Sequence, residues 1–150
     1  MRTLIQHVAS GSVKISNEIV GKIDNGLVVL VGIESDDNQT DIDWIVQKLI
    51  GLRIFNDLEG KMNLSIGDVS GELLVVSQFT LHASTKKGNR PSYIRAAKPE
   101  IAVPLYENFK KTLESYSGKS IQSGKFGANM KVTLINDGPV TIIIDSKNKQ

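Results

Sequence analysis

Four consecutive residues that read SQFT bring together side chains able to do chemistry: Ser77, Gln78, Phe79 and Thr80. They offer two hydroxyls, an amide and an aromatic ring at the end of an apolar run, residues 71–81, that is typical of a buried strand. The end of a buried strand is a position from which a scaffold can present polar groups to a pocket. The motif is compatible with a pocket wall, but residue types alone favour the simpler interpretation that these residues begin a loop.

A second candidate is the basic segment of residues 84–98, which contains no acidic residue and carries Lys86, Lys87, Arg90, Arg95 and Lys98. Tyr93 lies among these cations. The whole chain has a formal net charge of only +2, so this positive charge is local. Such a cluster suits the phosphate backbone of a nucleic acid. A loop that merely keeps the protein soluble would have a similar composition.

Residue types that form common nucleophilic or metal sites are scarce. The chain has two histidines, His7 and His82, and no cysteine, so a nucleophile–base pair has few available members. We expect His7 to be structural or on the surface. His82 lies just past the SQFT motif, but a single histidine there is weak evidence for a catalytic role. Neither a glycine-rich phosphate loop nor a calcium-loop spacing is present. We interpret four aspartates as a solvated loop with helix-dipole charges: Asp36, Asp37, Asp41 and Asp43. We predict no metal and no cofactor.

The dipeptide Gly138-Pro139 is the third unusual feature. It follows Asn136-Asp137 between two β-type runs, residues 130–135 and 140–145, which predict a hairpin. Proline has no backbone N–H, so it removes a donor where strand pairing would resume. The position therefore needs a reason beyond an ordinary turn.

The elements that would position these features alternate between strands and two helices. Apolar periodicity predicts strands at residues 2–8, 12–15, 19–23, 26–33 and 71–81, with residues 26–33 buried on both faces. One helix is predicted from a capping box at Thr40 and Asp43 up to Gly51, and a second over residues 99–116, which Pro104 starts or bends. The pattern favours a β-rich α/β domain with layered sheets.

Length and composition agree with one soluble domain. The chain has 150 residues, of which 40% are hydrophobic and 23% charged, so it can bury a real core. Its first residues lack the long apolar stretch of a signal peptide or membrane helix. We therefore expect a cytoplasmic protein without a membrane partner, made of a single domain over residues 1–150.

Several segments in order along the chain resemble the D-aminoacyl-tRNA deacylase family. The most specific are SQFTL at residues 77–81, KKGNRPS at residues 86–92 and NDGPVT at residues 136–141. Further matches are MRTLIQHV, LRIFND, KMNLS and GKFGANM, so the resemblance covers essentially the whole chain.

The resemblance implies a homodimeric editing enzyme. Its partner is tRNA rather than DNA, and it hydrolyses the ester that joins a D-amino acid, or glycine, to the 3′-terminal adenosine. The implied fold is a single-domain, three-layer arrangement of two helices over two packed sheets. The bond between Gly138 and Pro139 is expected to be cis and to reach into the partner subunit's pocket, where its carbonyls face the amino-acid end of the substrate.

The resemblance also implies roles for the pocket residues. It places Ser77, Gln78, Phe79 and Thr80 around the ester and the terminal adenosine, and adds Ala102, Phe126 and Met130 to the pocket lining. Lys86, Lys87 and Arg90 are expected to contact tRNA phosphates. Activation is assigned to the 2′-hydroxyl of the tRNA itself, so that Thr80 positions the ester rather than acting as a confident nucleophile.

Two other function classes fit part of the sequence. A non-catalytic RNA-binding module would explain the basic segment but not the SQFT motif or the Gly-Pro dipeptide. A small-molecule esterase would explain a pocket but would normally carry a nucleophile beside its base.

Overall fold

The long first strand organises the sheet in the computed structural model, which describes residues 1–150. This strand, β1 (Arg2–Ile15), pairs antiparallel with β3 (Gly26–Gly32) along its first half and with β2 (Glu18–Ile23) along its second half. On its other edge β1 pairs with β8 (Lys131–Asp145) along nearly its whole length. The two strands predicted at residues 2–8 and 12–15 are therefore one continuous strand.

Parallel pairing extends the sheet on the far side of β3. β6 (Glu72–Ser77) runs parallel to β3, and the short β7 (Gln122–Ser123) runs parallel to β6. A separate two-stranded ribbon consists of β4 (Phe55–Asn56) and β5 (Met62–Leu64). The chain therefore has eight strands in mixed pairing.

Two cores lie on opposite faces of β3 and β6, as predicted for a strand buried on both sides. Leu27, Val29 and Val31 belong to the larger core beneath the helices α1 (Gln39–Gly51) and α2 (Pro99–Ser117). Val28 belongs to a smaller core, which the curled sheet encloses because β2 comes back into contact with β6 and β7. Helices and two sheet halves thus form layers, and the prediction of a single α/β domain with two helices is confirmed.

The first helix begins two residues before the predicted capping box. Asn38 is the N-cap, and its side-chain oxygen accepts a hydrogen bond from the Thr40 N–H at 2.9 Å. In return, the Asp41 carboxylate accepts from the Asn38 N–H at 3.0 Å. The predicted pair of Thr40 and Asp43 is wrong, because the box formed by Asn38 and Asp41 lies two residues earlier and satisfies the free N–H groups at the start of the helix.

The second helix begins at Pro99 and runs through Pro104 to Ser117. Proline at the first helical position costs no hydrogen bond, since that N–H has no partner within the helix. Pro104 leaves only the exposed carbonyl of Glu100 without its usual donor, and water can reach that group. The helix ends at Gly118, which adopts a left-handed conformation with φ of 67°. Neither helix is long and apolar enough to cross a membrane.

The predicted C-terminal hairpin is wrong. Both of its runs belong to β8, and both pair with β1 rather than with each other. The register passes from Gln6 opposite Thr141 to Val8 opposite Asn136, so residues 137–140 bulge out opposite the single residue His7. A bulge accommodates the missing N–H of Pro139 because its residues leave the ladder of hydrogen bonds. The long partner strand β1 explains why a hairpin is not needed.

Candidate active site

One cavity of about 300 Å³ opens at the carboxyl ends of β3 and β6. Ten of its fourteen lining residues are hydrophobic, and none of the fourteen is ionisable. It is lined by Val31, Ile33, Val76, Ser77, Gln78, Phe79, Ala97, Ala102, Phe126, Gly127, Ala128, Asn129, Met130 and Val132. The structure therefore brings six of the seven sequence-predicted pocket residues of this chain to one site, and the seventh, Thr80, is not part of the lining.

The SQFT wall forms because β6 ends earlier than predicted. The strand stops at Ser77, and residues 79–82 form a short 3-10 helix. The Gln78 N–H still donates to the Val31 carbonyl at 2.7 Å, which holds the turn against β3. The Gln78 side-chain amide donates to the Thr80 hydroxyl, so Thr80 is fixed through a neighbour that lines the cavity.

Gly32 allows this turn to lie directly on β3. A Cβ atom at Gly32 would stand 3.0 Å from the Gln78 carbonyl oxygen and 3.0 Å from the His82 ring. Both distances are shorter than ordinary van der Waals contacts, and one of the two neighbours is backbone that cannot swing away. A glycine at this position therefore lets the turn that contains Gln78 pack directly against β3.

The opposite side of the cavity is supported by Tyr106, which sequence reasoning missed. Its hydroxyl donates to the Val75 carbonyl at 3.1 Å, joining α2 to β6 just below Ser77. Burial raises the pKa of Tyr106, and the neighbouring charge of Glu107 raises it further. Its ring lies 5.8 Å from that of Phe126, between centroids. Its helical spacing from Phe109 and Leu113, with which it is buried, was the only signal.

Ala102 and Met130 complete the apolar lining. Ala102 is buried on the first turn of α2 and lines the cavity. Pro104, two residues later, does not interrupt the helix there. The thioether of Met130 packs directly over Gly124, where any side chain would displace it. Gly124 therefore provides the space that the Met130 side chain occupies in the cavity wall.

Neither histidine forms a nucleophile–base pair with a hydroxyl of the cavity wall. His82 is 2% exposed, and neither of its ring nitrogens makes a hydrogen bond. Its Nδ1 lies 3.6 Å from a carboxylate oxygen of Glu34. His7 stacks edge-on against Phe55, with centroids 4.6 Å apart, and lies outside the cavity lining. A Ser–His mechanism therefore lacks its hydrogen-bonded pair here.

Two of the four aspartates are not solvated, contrary to the interpretation of the sequence. Asp37 is buried and binds the Met1 ammonium group, and Asp41 is buried beside the Lys147 ammonium at 3.1 Å. The pKa of Asp41 lies below its ordinary value, because hydrogen bonds to its carboxylate outweigh the opposing effect of burial. These carboxylates pair with the two chain ends, which sequence spacing alone does not reveal.

Gly138 and Pro139 are exposed and do not line the cavity of their own chain. The peptide bond between them is cis, and Gly138 has a φ of 132°, where L side chains are rarely found. Asn136 spans the bulge: its side chain accepts from the Val140 N–H at 3.0 Å and donates to the Thr141 hydroxyl at 2.9 Å. The bulge is therefore a fixed projection rather than a loose loop.

The basic segment forms a small projecting loop beside the cavity. Ser84 and Ser92 exchange two backbone hydrogen bonds, of 2.8 and 2.9 Å, which pinch the loop at its base. Lys86, Lys87 and Arg90 lie beyond the pinch and are exposed. Arg95 closes the other end through an ion pair with the buried carboxylate of Glu34 at 2.7 Å. The cations are thus displayed at one place.

A larger groove, of about 680 Å³, lies between α1 and the end of β8. Trp44 and Lys48 line it together with the C-terminal residues Asn148, Lys149 and Gln150. It contains none of the predicted site residues. The smaller cavity is therefore the candidate active site, because functional side chains converge there.

The chain is similar to known proteins over its whole length. A family model described as D-Tyr-tRNA(Tyr) deacylase matches residues 4–145. Curated proteins named D-aminoacyl-tRNA deacylase from Flavobacterium psychrophilum and Bacteroides thetaiotaomicron are 63% and 59% identical, each over the full length of both chains.

Solved structures give the same answer for the fold. A protein described as c-Myc DNA Unwinding Element Binding Protein superposes with a TM-score of 0.91 and 39% identity, covering 97% of this chain and 98% of that chain. A probable eukaryotic D-amino acid tRNA deacylase superposes with a TM-score of 0.81 at 19% identity, covering 95% and 97%, which shows likeness of fold alone. By its sequence match and its full-length relatives, the chain belongs to the D-Tyr-tRNA(Tyr) deacylase family.

Proposed function

We propose that the protein is a carboxylic ester hydrolase that cleaves D-aminoacyl-tRNA and releases the free D-amino acid and the tRNA. The observation that carries this proposal is a cavity walled by the SQFT motif and lying beside a loop of exposed cations. The cavity is of a size that accepts a small ligand, and the cations suit the phosphates that a tRNA brings with it. Charged tRNA is cytoplasmic, and we place the protein there.

The terminal adenosine of the tRNA is expected to occupy the apolar part of the cavity. Phe126 and Met130 offer a ring and a polarisable thioether to the flat face of the adenine. Ala102 leaves room on the helix side because its side chain is a single methyl group. Ser77, Gln78 and Thr80 then lie toward the ester, where hydroxyl and amide groups can hold the carbonyl and a water molecule.

The reaction we propose uses the 2′-hydroxyl of the terminal ribose. Water attacks the carbonyl carbon, the bond from that carbon to the 3′-oxygen breaks, and the 3′-oxygen leaves with a proton. The 2′-hydroxyl lies next to the 3′-oxygen, and it can relay a proton from the attacking water to that leaving oxygen. This route suits the site because the cavity lining contains no ionisable side chain to act as acid or base.

We propose that selection against L-amino acids comes from Gly138 and Pro139 of a second subunit. Their projection is exposed and lies outside the cavity of its own chain, so a partner's cavity is an available destination. Backbone carbonyls can accept hydrogen bonds from the substrate's ammonium group, while rigid backbone close to Cα excludes an L side chain. Glycine has no side chain to exclude, so glycyl-tRNA is expected to be a substrate as well.

A homodimer also has support in the outer surface of β8. This strand pairs only with β1, so its other edge is free, and Ile135 and Ile143 are 61% and 62% exposed. A free edge with exposed apolar side chains favours pairing with another chain. A second copy placed there would bring two bulges of residues 137–140 close to the shared interface.

The proposed mechanism is tested by comparing Thr80→Ala with a substrate whose terminal adenosine is 2′-deoxy. Because Thr80 is assigned to positioning, its variant should keep substantial deacylation of D-tyrosyl-tRNA. The deoxy substrate should react far more slowly with the unchanged protein. Complete loss with a folded Thr80→Ala protein, together with normal cleavage of the deoxy substrate, would assign the chemistry to Thr80 instead.

The same assay separates the two alternative functions. A non-catalytic RNA-binding module would bind the charged tRNA without releasing amino acid. A small-molecule esterase would cleave D-tyrosine methyl ester as readily as the tRNA ester. Release from tRNA alone would exclude both.

A further inference from the structure

Two aromatic rings lie at the mouth of the cavity without being buried. Phe79 and Tyr93 make an edge-to-face contact, with centroids 5.0 Å apart and planes at 72°. Phe79 also lines the cavity, yet it is 53% exposed, and Tyr93 is 39% exposed. An aromatic pair that stays this exposed beside a ligand cavity is a feature that core packing does not explain.

Hydrogen bonds on both sides of Tyr93 hold its backbone in place. Directly before it, Ser92 is locked to Ser84 by two backbone hydrogen bonds. Directly after it, the Tyr93 carbonyl accepts from the Ala96 N–H at 3.0 Å. The backbone of Tyr93 therefore lies between two fixed points, and the contact with Phe79 orients its ring.

Cations flank Tyr93 along the chain. Residues 84–98 contain five lysines and arginines and no acid, and they flank Tyr93 on both sides. Ile94, next to Tyr93, is almost fully exposed. Aromatic rings interleaved with cations are the combination that binds single-stranded nucleic acid, because bases stack while phosphates are neutralised. The charge argues against an apolar peptide as the occupant.

We propose that Phe79 and Tyr93 form a stacking platform for the base of the nucleotide that precedes the terminal adenosine. This inference rests on the proposed function, in which that adenosine fills the cavity. The 3′ end of a tRNA is a single strand, so its next base leaves the cavity past Phe79 and meets Tyr93. The phosphate between the two nucleotides then lies near the cations of the basic loop. The site would thus hold two nucleotides of the strand rather than one.

The test is a double-mutant cycle between the protein and the RNA. D-Tyrosyl-tRNA is prepared with its normal penultimate nucleotide and with an abasic residue at that position. Each is assayed for kcat/KM with the unchanged protein and with Tyr93→Ala. Either change alone should lower kcat/KM by roughly 5–100-fold, the range expected for one stacked base. Both changes together should cost no more than one.

Two control variants separate stacking from a structural role. Tyr93→Phe keeps the ring and should behave as the unchanged protein. Tyr116→Ala removes a half-exposed tyrosine at the far end of α2 and should change neither substrate. If Tyr93→Ala acted only by loosening the loop, it would lower activity on the abasic substrate as strongly as on the normal one.

The outcomes distinguish the platform from the proposed function. Deacylation of both substrates with effects that multiply, or no effect of the abasic residue on the unchanged protein, would overturn the platform and leave the deacylase in place. Absence of any deacylation of the normal substrate would overturn the proposed function, and the platform with it.

Discussion

The side-chain oxygen of Asn136 accepts a hydrogen bond from the Val140 N–H, 3.0 Å away across the bulge in β8. The same side chain donates to the Thr141 hydroxyl at 2.9 Å. Asn136 therefore joins the start of the projection that contains Gly138 and Pro139 to its end. The geometry of the proposed stereochemical filter depends on a side chain that does not itself reach a substrate.

We predict that Asn136→Ala lowers deacylation of D-tyrosyl-tRNA at least tenfold while the protein remains folded. Removing the bridging amide should cost only about 1 kcal/mol of unfolding free energy, because the bulge is exposed to water. Steady-state kinetics and thermal unfolding measure the two effects. Asn136→Asp keeps the acceptor for the Val140 N–H and should retain more activity than alanine. Equal activities of all three proteins would contradict the assigned role.

Gly138→Ala should abolish D-substrate turnover by displacing the filter. A Cβ atom there would stand 2.8 Å from the Val140 side chain, and the φ of 132° is strained for any L residue. Gly60→Ala is the matched control, because Gly60 also has a positive φ, of 75°, but has open space around it. The control should lose about 1–2 kcal/mol of stability and keep full activity.

Mixing two inactive variants tests whether the filter acts across subunits. Gly138→Ala would be combined with Phe79→Ala, which damages the cavity but leaves the projection intact. When the subunits exchange, each mixed dimer has one intact site. In that site the cavity of the Gly138→Ala subunit faces the projection of the Phe79→Ala subunit. An equal mixture should then recover about a quarter of full activity, as statistical pairing in a twofold assembly predicts. No recovery in a mixture with demonstrated exchange would place the filter within its own chain.

Charge reversal at Lys86 and Lys87 should weaken tRNA binding without unfolding the protein. Loss of two phosphate contacts should make the log–log dependence of binding on salt shallower by roughly 1–2 units. Reversal of Lys22 and Lys111, which are exposed outside the basic loop, provides a control of equal charge. If the log–log salt dependence of tRNA binding had the same slope in both double variants, the basic loop would not contact the phosphate backbone of the tRNA.

Acid should weaken the protein partly through Asp145. Burial raises the pKa of Asp145, but hydrogen bonds from Arg2 and from the Lys147 N–H outweigh burial and hold the pKa below its ordinary value. A carboxylate whose pKa is lowered by folding contributes stability above its unfolded pKa, near pH 4, and loses that contribution as pH falls through the folded value. Arg2 also donates to the Leu81 carbonyl at 2.8 Å, so this pair braces the 3-10 helix.

Asp145→Asn should therefore lower the melting temperature at pH 7. It should also make the further loss between pH 5 and pH 3 smaller than in the unchanged protein. Thermal unfolding over that pH range measures both effects. Parallel curves for the two proteins would show that Asp145 does not carry the pH dependence.

Most of the fold is predictable from the sequence because its signals are local. Apolar runs identified the doubly buried β3, and helical spacing identified both helices. The hairpin prediction failed because pairing partners are not local: an Asp-Gly turn signal at residues 137–138 was overridden by β1, which offers residues 131–145 a long partner edge.

The candidate site divides in the same way. Motifs and the family resemblance predicted seven pocket residues. The structure places six of them around one cavity and leaves Thr80 outside its lining. The supporting residues were missed because their importance depends on contacts distant in sequence. Tyr106 reaches β6 from α2, and Gly32 makes room for a turn that lies more than forty residues later. Residue type alone does not distinguish either from ordinary core or strand positions.

The most direct test of the proposed function is the deacylation of D-tyrosyl-tRNA and L-tyrosyl-tRNA by the purified protein, measured as the rate of release of labelled tyrosine. We predict rapid release from the D-substrate and release from the L-substrate no faster than spontaneous hydrolysis. Binding of both without release, or equal release from both, would contradict it.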